Sequence, residues 1–174
     1  WSFTPAAVAD GRLMQEATGP TPVTAVGQSI GLAFDSGLWG GRSLAQVVAG
    51  QSELLVSGSW LMSVAGGTST ATESPAGTLN LSSDGANMAR GDQSFVTVVG
   101  RAYRVQATST GATATMNIGT SQGGATLSGN VSIANGVTAN FWFIAISTTT
   151  WVRFSRSLVG ILAVTGITCK EVPG

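Results

Sequence analysis

Histidine is absent from the 174 residues, cysteine occurs once, and only 9% of the chain is charged. Without histidine, neither a Ser-His-Asp triad nor a Cys-His pair can be assembled. The lone thiol, Cys169, cannot close an intrachain disulfide. It lies in an apolar-alternating stretch from Ile167 to Val172 and reads as a small buried hydrophobe. Eight basic residues balance eight acidic ones, so no broad field steers the chain toward nucleic acid or an anionic membrane. Long apolar runs are missing too: nothing approaches the roughly 18 residues that span a bilayer, and no signal peptide is visible. Trp1 is not a natural start, which leads us to expect a chain that is processed or has lost a longer amino-terminal part.

The acids stand singly, so the two carboxylates that glycoside hydrolysis holds roughly 5 to 9 Å apart are not in sight. Glu53, Asp84, Asp92 and Glu171 fall near predicted strand ends, where a sandwich can seat a calcium ion on carboxylate and carbonyl oxygens. No Asp-rich loop with tight ligand spacing accompanies them, and they read as solvated loop acids. Gly119, Gly123 and Gly124 have no following helix or lysine to make a phosphate cradle and read as turn formers. The expectation is a protein that is not an enzyme and carries no cofactor or metal.

What is present is strand after short strand. Phe95 to Val99, Tyr103 to Thr108, Ala114 to Ile118, Phe141 to Ile146 and Thr150 to Phe154 are rich in β-branched and aromatic residues, with Gly, Ser, Asn or Thr clusters between them. Glu53 to Val56, Trp60 to Val64, Thr78 to Ser82, Ile161 to Val164 and Ile167 to Val172 bring the candidates to about ten, enough for two packed sheets. Alternation points Tyr103, Val105, Ala107, Val152 and Phe154 inward, and Arg104, Gln106, Trp151, Arg153 and Ser155 outward. Phe141 to Ile146 is apolar on both faces, which predicts a central strand or one covered by a neighbour. The core of the sandwich is expected to hold Val105, Phe143, Val152 and Phe154.

Residues 1–50 differ in kind. Three of the five prolines, Pro5, Pro20 and Pro22, fall in the first 24 residues, and Pro20 to Thr24 must be extended. Val26 to Phe34 reads as a short strand and Arg42 to Ala49 as a brief helix or an irregular crossing. Too thin to own a core, this part is expected to be an arm lying against something else. The division predicted is an extended docking segment over 1–50 and a sandwich over 51–174.

A sugar site needs an exposed aromatic face with polar neighbours. Trp151 and Arg153 meet that requirement, and Trp142 joins them if its strand lies on the same sheet. The same residue types favour a protein interface, and the pattern leaves both open. Scarce charge, seven Arg to one Lys, a positive mean hydropathy and outward Trp142 and Trp151 predict a homo-oligomer.

Two stretches resemble a known family. Trp1 to Pro5 followed by Leu13 to Leu32, above all Thr21-Pro22-Val23-Thr24-Ala25-Val26-Gly27-Gln28, resembles a segment of virion proteins from tailed bacteriophages and prophages. Glu53 to Trp60, Gln93 to Phe95, Val98 to Val105, Ile118 to Ser121, Thr148 to Phe154 and Ile167 to Gly174 resemble the carbohydrate-binding-like jelly roll that ends phage fibre subunits. After Trp60 the family carries a second Trp in a Gly-Trp pair, whereas this chain runs on as Leu61-Met62-Ser63, so Trp60 takes the core role of the family's Phe. The resemblance implies an all-β jelly-roll sandwich preceded by an extended docking arm anchored through Trp1, Pro5, Pro20, Pro22 and Val23. It further implies a structural protein of the virion, on a fibre, spike or decoration, whose partners are other virion proteins and copies of itself, most often as a trimer. The alternative it carries is a module that recognises host surface polysaccharide, with Trp142, Trp151 and Arg153 as the contact residues.

Overall fold

The computed structural model describes residues 48–172, together with the backbone of two short strands, β1 (Leu13–Met14) and β2 (Leu32–Ala33), which pair antiparallel. The chain divides into two compact units, Trp1–Gly50 and Gln51–Gly174. Trp1, Pro5, Pro20, Pro22 and Val23, on which the docking expectation rests, lie outside the described residues.

The second unit is all-β. Its strands are β3 (Leu61–Val64), β4 (Thr70–Glu73), β5 (Leu79–Ser83), β6 (Ala89–Val96), β7 (Ala102–Thr110), β8 (Ala114–Gly119), β9 (Val131–Ile133), β10 (Thr138–Ile144), β11 (Thr149–Arg156) and β12 (Gly160–Val172). They form two five-stranded sheets, a front sheet in the order β10-β7-β12-β5-β4 and a back sheet in the order β3-β6-β11-β8-β9. All the strand pairings are antiparallel. This is the expected jelly-roll sandwich, its inner faces meeting in one core.

Period-two alternation builds that core. Tyr103, Val105 and Ala107 of β7 are buried while Arg104 and Gln106 between them are half-buried on the outer face. Val105, Phe143, Val152 and Phe154 are all buried, as the pattern predicts. Aromatic rings link the layers: Phe143 stacks on Tyr103 at 5.5 Å and meets Phe95 edge-on at 6.5 Å, and Trp60 tilts against Phe154 at 5.8 Å. Cys169 is buried as well, and both that burial and the charge of nearby Glu53 push its thiol pKa far up, so it is no nucleophile at neutral pH.

The structure corrects several expectations. Glu53 to Val56 is not a strand, because side chains take the place of a strand partner. Gln93 clasps Val56 through both its amide groups (3.1 and 2.7 Å), and Glu53 accepts from the Leu55 and Cys169 amides. The two strands expected after Gly160 are one, β12, joined through a bulge where the register shifts between Thr165 and Thr168. Phe141 to Ile146 is neither central nor covered within the sandwich: β10 is an edge strand paired only to β7, and Trp142 and Ile144 are exposed. Asp92 is no loop acid but sits inside β6, fully buried. The polar β4 lacks the apolar content that marks a strand in sequence, and β9 is only three residues long.

Removing the Phe154 ring should leave a cavity against Trp60 and lower unfolding free energy by about 3–5 kcal/mol. Denaturant unfolding of Phe154→Ala checks this, and a midpoint equal to that of the parent protein would mean the ring is not packed in the core.

Candidate functional site

The two outer faces of the sandwich differ in chemistry. On the back sheet, the outward residues Asp92 and Arg153 face each other across β6 and β11. Their bond is bidentate, Arg153 Nε to Asp92 Oδ1 at 2.6 Å and Nη2 to Oδ2 at 3.0 Å, and Gln122 Nε2 donates to Oδ2 at 3.2 Å. Residues 120–130 fold over this pair. A Cβ on Gly123, whose φ is +73°, would fall 2.3 Å from the Arg153 guanidinium, so only glycine lets the loop come so close. Asn117 ties down the far end of the loop through Asn130 and the Gly129 carbonyl. Arg153 is therefore bound to a buried carboxylate beneath a loop, and Trp151 beside it is half-buried.

Trp142 lies on the other sheet. The structure thus does not bring the three expected contact residues together: Trp142 is on the front face, and Trp151 and Arg153 are on the back. What the register does bring together is a different set. Trp142 of β10 is directly opposite Arg104 of β7, which is directly opposite Lys170 of β12. One step along the same face, Asn140, Gln106 and Thr168 form a parallel row across the same three strands. With strands about 4.8 Å apart, each row is about 10 Å long.

The Arg104 guanidinium carbon stands 5.7 Å over the Trp142 ring, a cation–π contact that orients the indole while 44% of the residue stays exposed. Four buried side-chain polar atoms lack a hydrogen-bond partner among the described residues, and two of them, Arg104 Nε and Thr168 Oγ1, are in these rows. A buried polar atom without a partner is costly, and the other two, Arg90 Nε and Arg156 Nε, are on strands of the back sheet. Further along, Thr108 and Thr138 hydroxyls bond at 2.7 Å. The face as a whole is an aromatic plate with amide, hydroxyl and cationic groups at its edge.

A cleft of about 320 Å³ at the sandwich edge is lined by Met62, Ser63, Thr70 and Thr72 among others and holds no ionisable side chain. Among the described residues, no group of three His, Cys, Asp or Glu could hold a metal ion. Asp84 caps its own turn, accepting from the amides of Thr68, Ala86 and Asn87 and from the Asn87 side chain, and those donors hold its carboxyl far below the usual range.

No family model and no curated protein matches the chain. Solved structures match in fold. The apo structure of CBM1 of BiXyn10A has a TM-score of 0.51 at 15% identity, over 73% of this chain and 99% of that one. TmCBM61 in complex with β-1,4-galactotriose has a TM-score of 0.45 at 13% identity, over 66% and 89% of the two chains. The enzymatically active domain of tailspike protein 4 from bacteriophage CBA120 has a TM-score of 0.44 at 16% identity, over 66% of this chain and 20% of that one. This chain thus spans about a fifth of the tailspike structure and most of the length of either module. The fold is one that carbohydrate-binding modules share.

The buried Asp92 gives a test of the back face. Asp92→Ala strands the Arg153 charge under the loop and should cost about 3–5 kcal/mol, whereas replacing both residues with apolar ones of similar volume should recover most of it. Thermal and denaturant unfolding of the single and double variants measure the difference. Loss of stability in the double variant as large as in the single would mean that the pair is not what anchors the loop.

Proposed function

We propose that residues 51–172 form a non-catalytic carbohydrate-binding domain whose ligand lies across the front face. The observation that supports this is the row Trp142, Arg104, Lys170 beside the row Asn140, Gln106, Thr168, set by strand register on an exposed face. A sugar ring presents C–H groups on one side and hydroxyls around its rim. It is held by an aromatic plate with polar side chains alongside, which is what these rows supply. The fold shared with carbohydrate-binding modules is consistent with this use of the sheet. Of the three contact residues expected from sequence, the proposal retains Trp142 and gives Arg153 and Trp151 to the loop-covered face.

Replacing Trp142 with alanine removes the plate without touching the core. Affinity for a bound soluble polysaccharide, measured by calorimetry or affinity electrophoresis, should fall about 30-fold or more, the cost of truncating an aromatic anchor. Trp151→Ala should leave it unchanged, and the melting temperature of Trp142→Ala should match the parent. Undiminished binding by a folded Trp142→Ala protein would rule out the front face.

A second reading concerns where the domain works. The likeness of Thr21 to Gln28 to a phage segment favours a structural subunit of a virion, with the glycan-binding domain displayed on a fibre, spike or decoration and residues 1–50 docked on another virion protein. An apolar end of the sandwich agrees with a further partner: Val98, Val99, Ile144 and Ile146 are each more than half exposed, on two segments joined by the Gly100 and Ala145 amides. Removing residues 1–50 should abolish incorporation into particles and leave a folded sandwich, and light scattering of the whole chain should give a trimer. Normal incorporation of the truncated protein would end the docking role, and a monomer at micromolar concentration would end the trimer.

A further inference from the structure

The two sheets end in β10 and β4 in front and β9 and β3 behind, and of these edge strands β9 has three residues, β3 and β4 have four each, and β10 has seven. The longest edge is also the undefended one. Proteins keep open edges from pairing by charge, proline or brevity, and from Thr138 to Ile146 there is neither a charged residue nor a proline. The register shows which backbone groups are open. The Ser109 amide donates to the Val137 carbonyl at 3.3 Å and the Ala145 amide to the Arg101 carbonyl at 2.9 Å, and bonded pairs alternate along an antiparallel ladder. Ala139, Phe141 and Phe143 therefore exchange their bonds with β7, while Thr138, Asn140, Trp142 and Ile144, all exposed, turn N–H and C=O to the open side. Among the described residues, no group outside β7 bonds the backbone of these four.

We propose that this edge pairs with the same edge of a second copy, β10 against β10 antiparallel about a twofold axis, so that two five-stranded front sheets become continuous. Full overlap of the strand with itself sets Phe141 opposite its own copy, Asn140 opposite Trp142 and Thr138 opposite Ile144. In that register each residue that turns its backbone outward meets another that does the same, which gives about eight hydrogen bonds between the chains. A slip of one residue would set the open groups against groups already bonded to β7. The Phe141 ring, which packs on the margin of the core, meets its twin in the closer, non-bonded kind of pair, where aromatic partners are favourable. Self-pairing is favoured over another protein's strand because this one is complementary to itself: it brings no like charges together and keeps Phe141 and Phe143 on one face and Trp142 and Ile144 on the other. Such a contact is isologous, separate from the threefold association proposed above, and it doubles whatever particle the rest of the chain forms.

The experiment uses the whole chain. An edge pair is a small contact and therefore a weak one, so the particle mass measured by light scattering should double as concentration rises from about 1 to about 100 μM. Asn140→Pro removes a donor that β7 does not use and sets a ring on the open edge. The fold, followed by circular dichroism, should persist in this variant and the doubling should vanish. Thr138→Cys combined with Ile144→Cys tests the register. Opposite residues of a bonded pair have Cα atoms about 5.5 Å apart, within reach of a disulfide, whereas the two positions of one strand are about 20 Å apart, and the native Cys169 is buried. Oxidation of the double variant should give a covalent dimer on a non-reducing gel, and either single variant should give none. A mass that does not rise with concentration, or a doubling that survives in a folded Asn140→Pro protein, would overturn the proposal. Should Asn140→Pro not fold, the crosslink decides: a folded double variant that yields no covalent dimer would overturn self-pairing and leave the edge to a strand of another protein.

Discussion

The register of β7 between β10 and β12 governs both the core and the exposed face of the front sheet, because one strand supplies alternate residues to each. Tyr103, Val105 and Ala107 point into the sandwich and are buried, while Arg104 and Gln106 stand between Trp142 and Asn140 on one side and Lys170 and Thr168 on the other. A slip of one residue would exchange the two sets. It would drive a guanidinium and a carboxamide into an apolar core, at a cost of several kcal/mol for the charge alone. The stacking of Tyr103 on Phe143, together with the bond from the Val98 amide to the Tyr103 hydroxyl, holds the strand against such a slip. The geometry of the candidate site is thus fixed by core packing, and its residues need contribute nothing to stability themselves.

The bulge in β12 is what allows its two halves to serve one face. Before it, Thr165 is opposite Thr108 on the outside; after it, Thr168 is opposite Gln106 on the same side, so Gly166 and Ile167 together oppose the single residue Ala107. The extra residue changes the parity of the strand. Without it, Lys170 and Thr168 would turn inward and Cys169 outward. Gly166 takes φ +59°, a conformation that a side chain would strain, and that is the physical reason a glycine stands there.

Much of this was legible in the alternation of particular strands and little of it in single residues. Tyr103 to Thr108 announces which side chains face in and which face out because its pattern is strict. β6 hides its first half because Arg90, Gly91 and Asp92 spoil the pattern, and only the cross-strand Arg153 shows why a carboxylate belongs there. Trp142 stands out as an aromatic on an outward position, but its neighbours Arg104 and Lys170 are 38 and 28 residues away, and no local signal says which strands adjoin. Strand order across a sandwich is a long-range property, set by how the hydrophobic faces close on each other. That is also why Trp142 and Trp151, nine residues apart in sequence, end on opposite sheets.

The two outer faces spend their polar groups differently, and the contrast bears on function more than either face does alone. On the back sheet Arg90 Nε and Arg156 Nε have no partner among the described residues, while the groups under the loop are matched to one another, guanidinium to carboxylate, carboxylate to Gln122, Asn117 to Asn130 and Gly129. A network satisfied in this way has no bonding capacity left for a ligand. On the front sheet, two buried polar atoms have no partner, two like charges adjoin, and a tryptophan is left 44% exposed. The aromatic and cationic side chains gather on a few strand positions, while the rest of the outer surface of that sheet is threonine, serine, asparagine and aliphatic residues. The contrast between the faces is therefore one of access: the back sheet around Arg153 is closed by its own loop, whereas Trp142 stands on the front sheet with polar side chains in register beside it and its ring open to solvent.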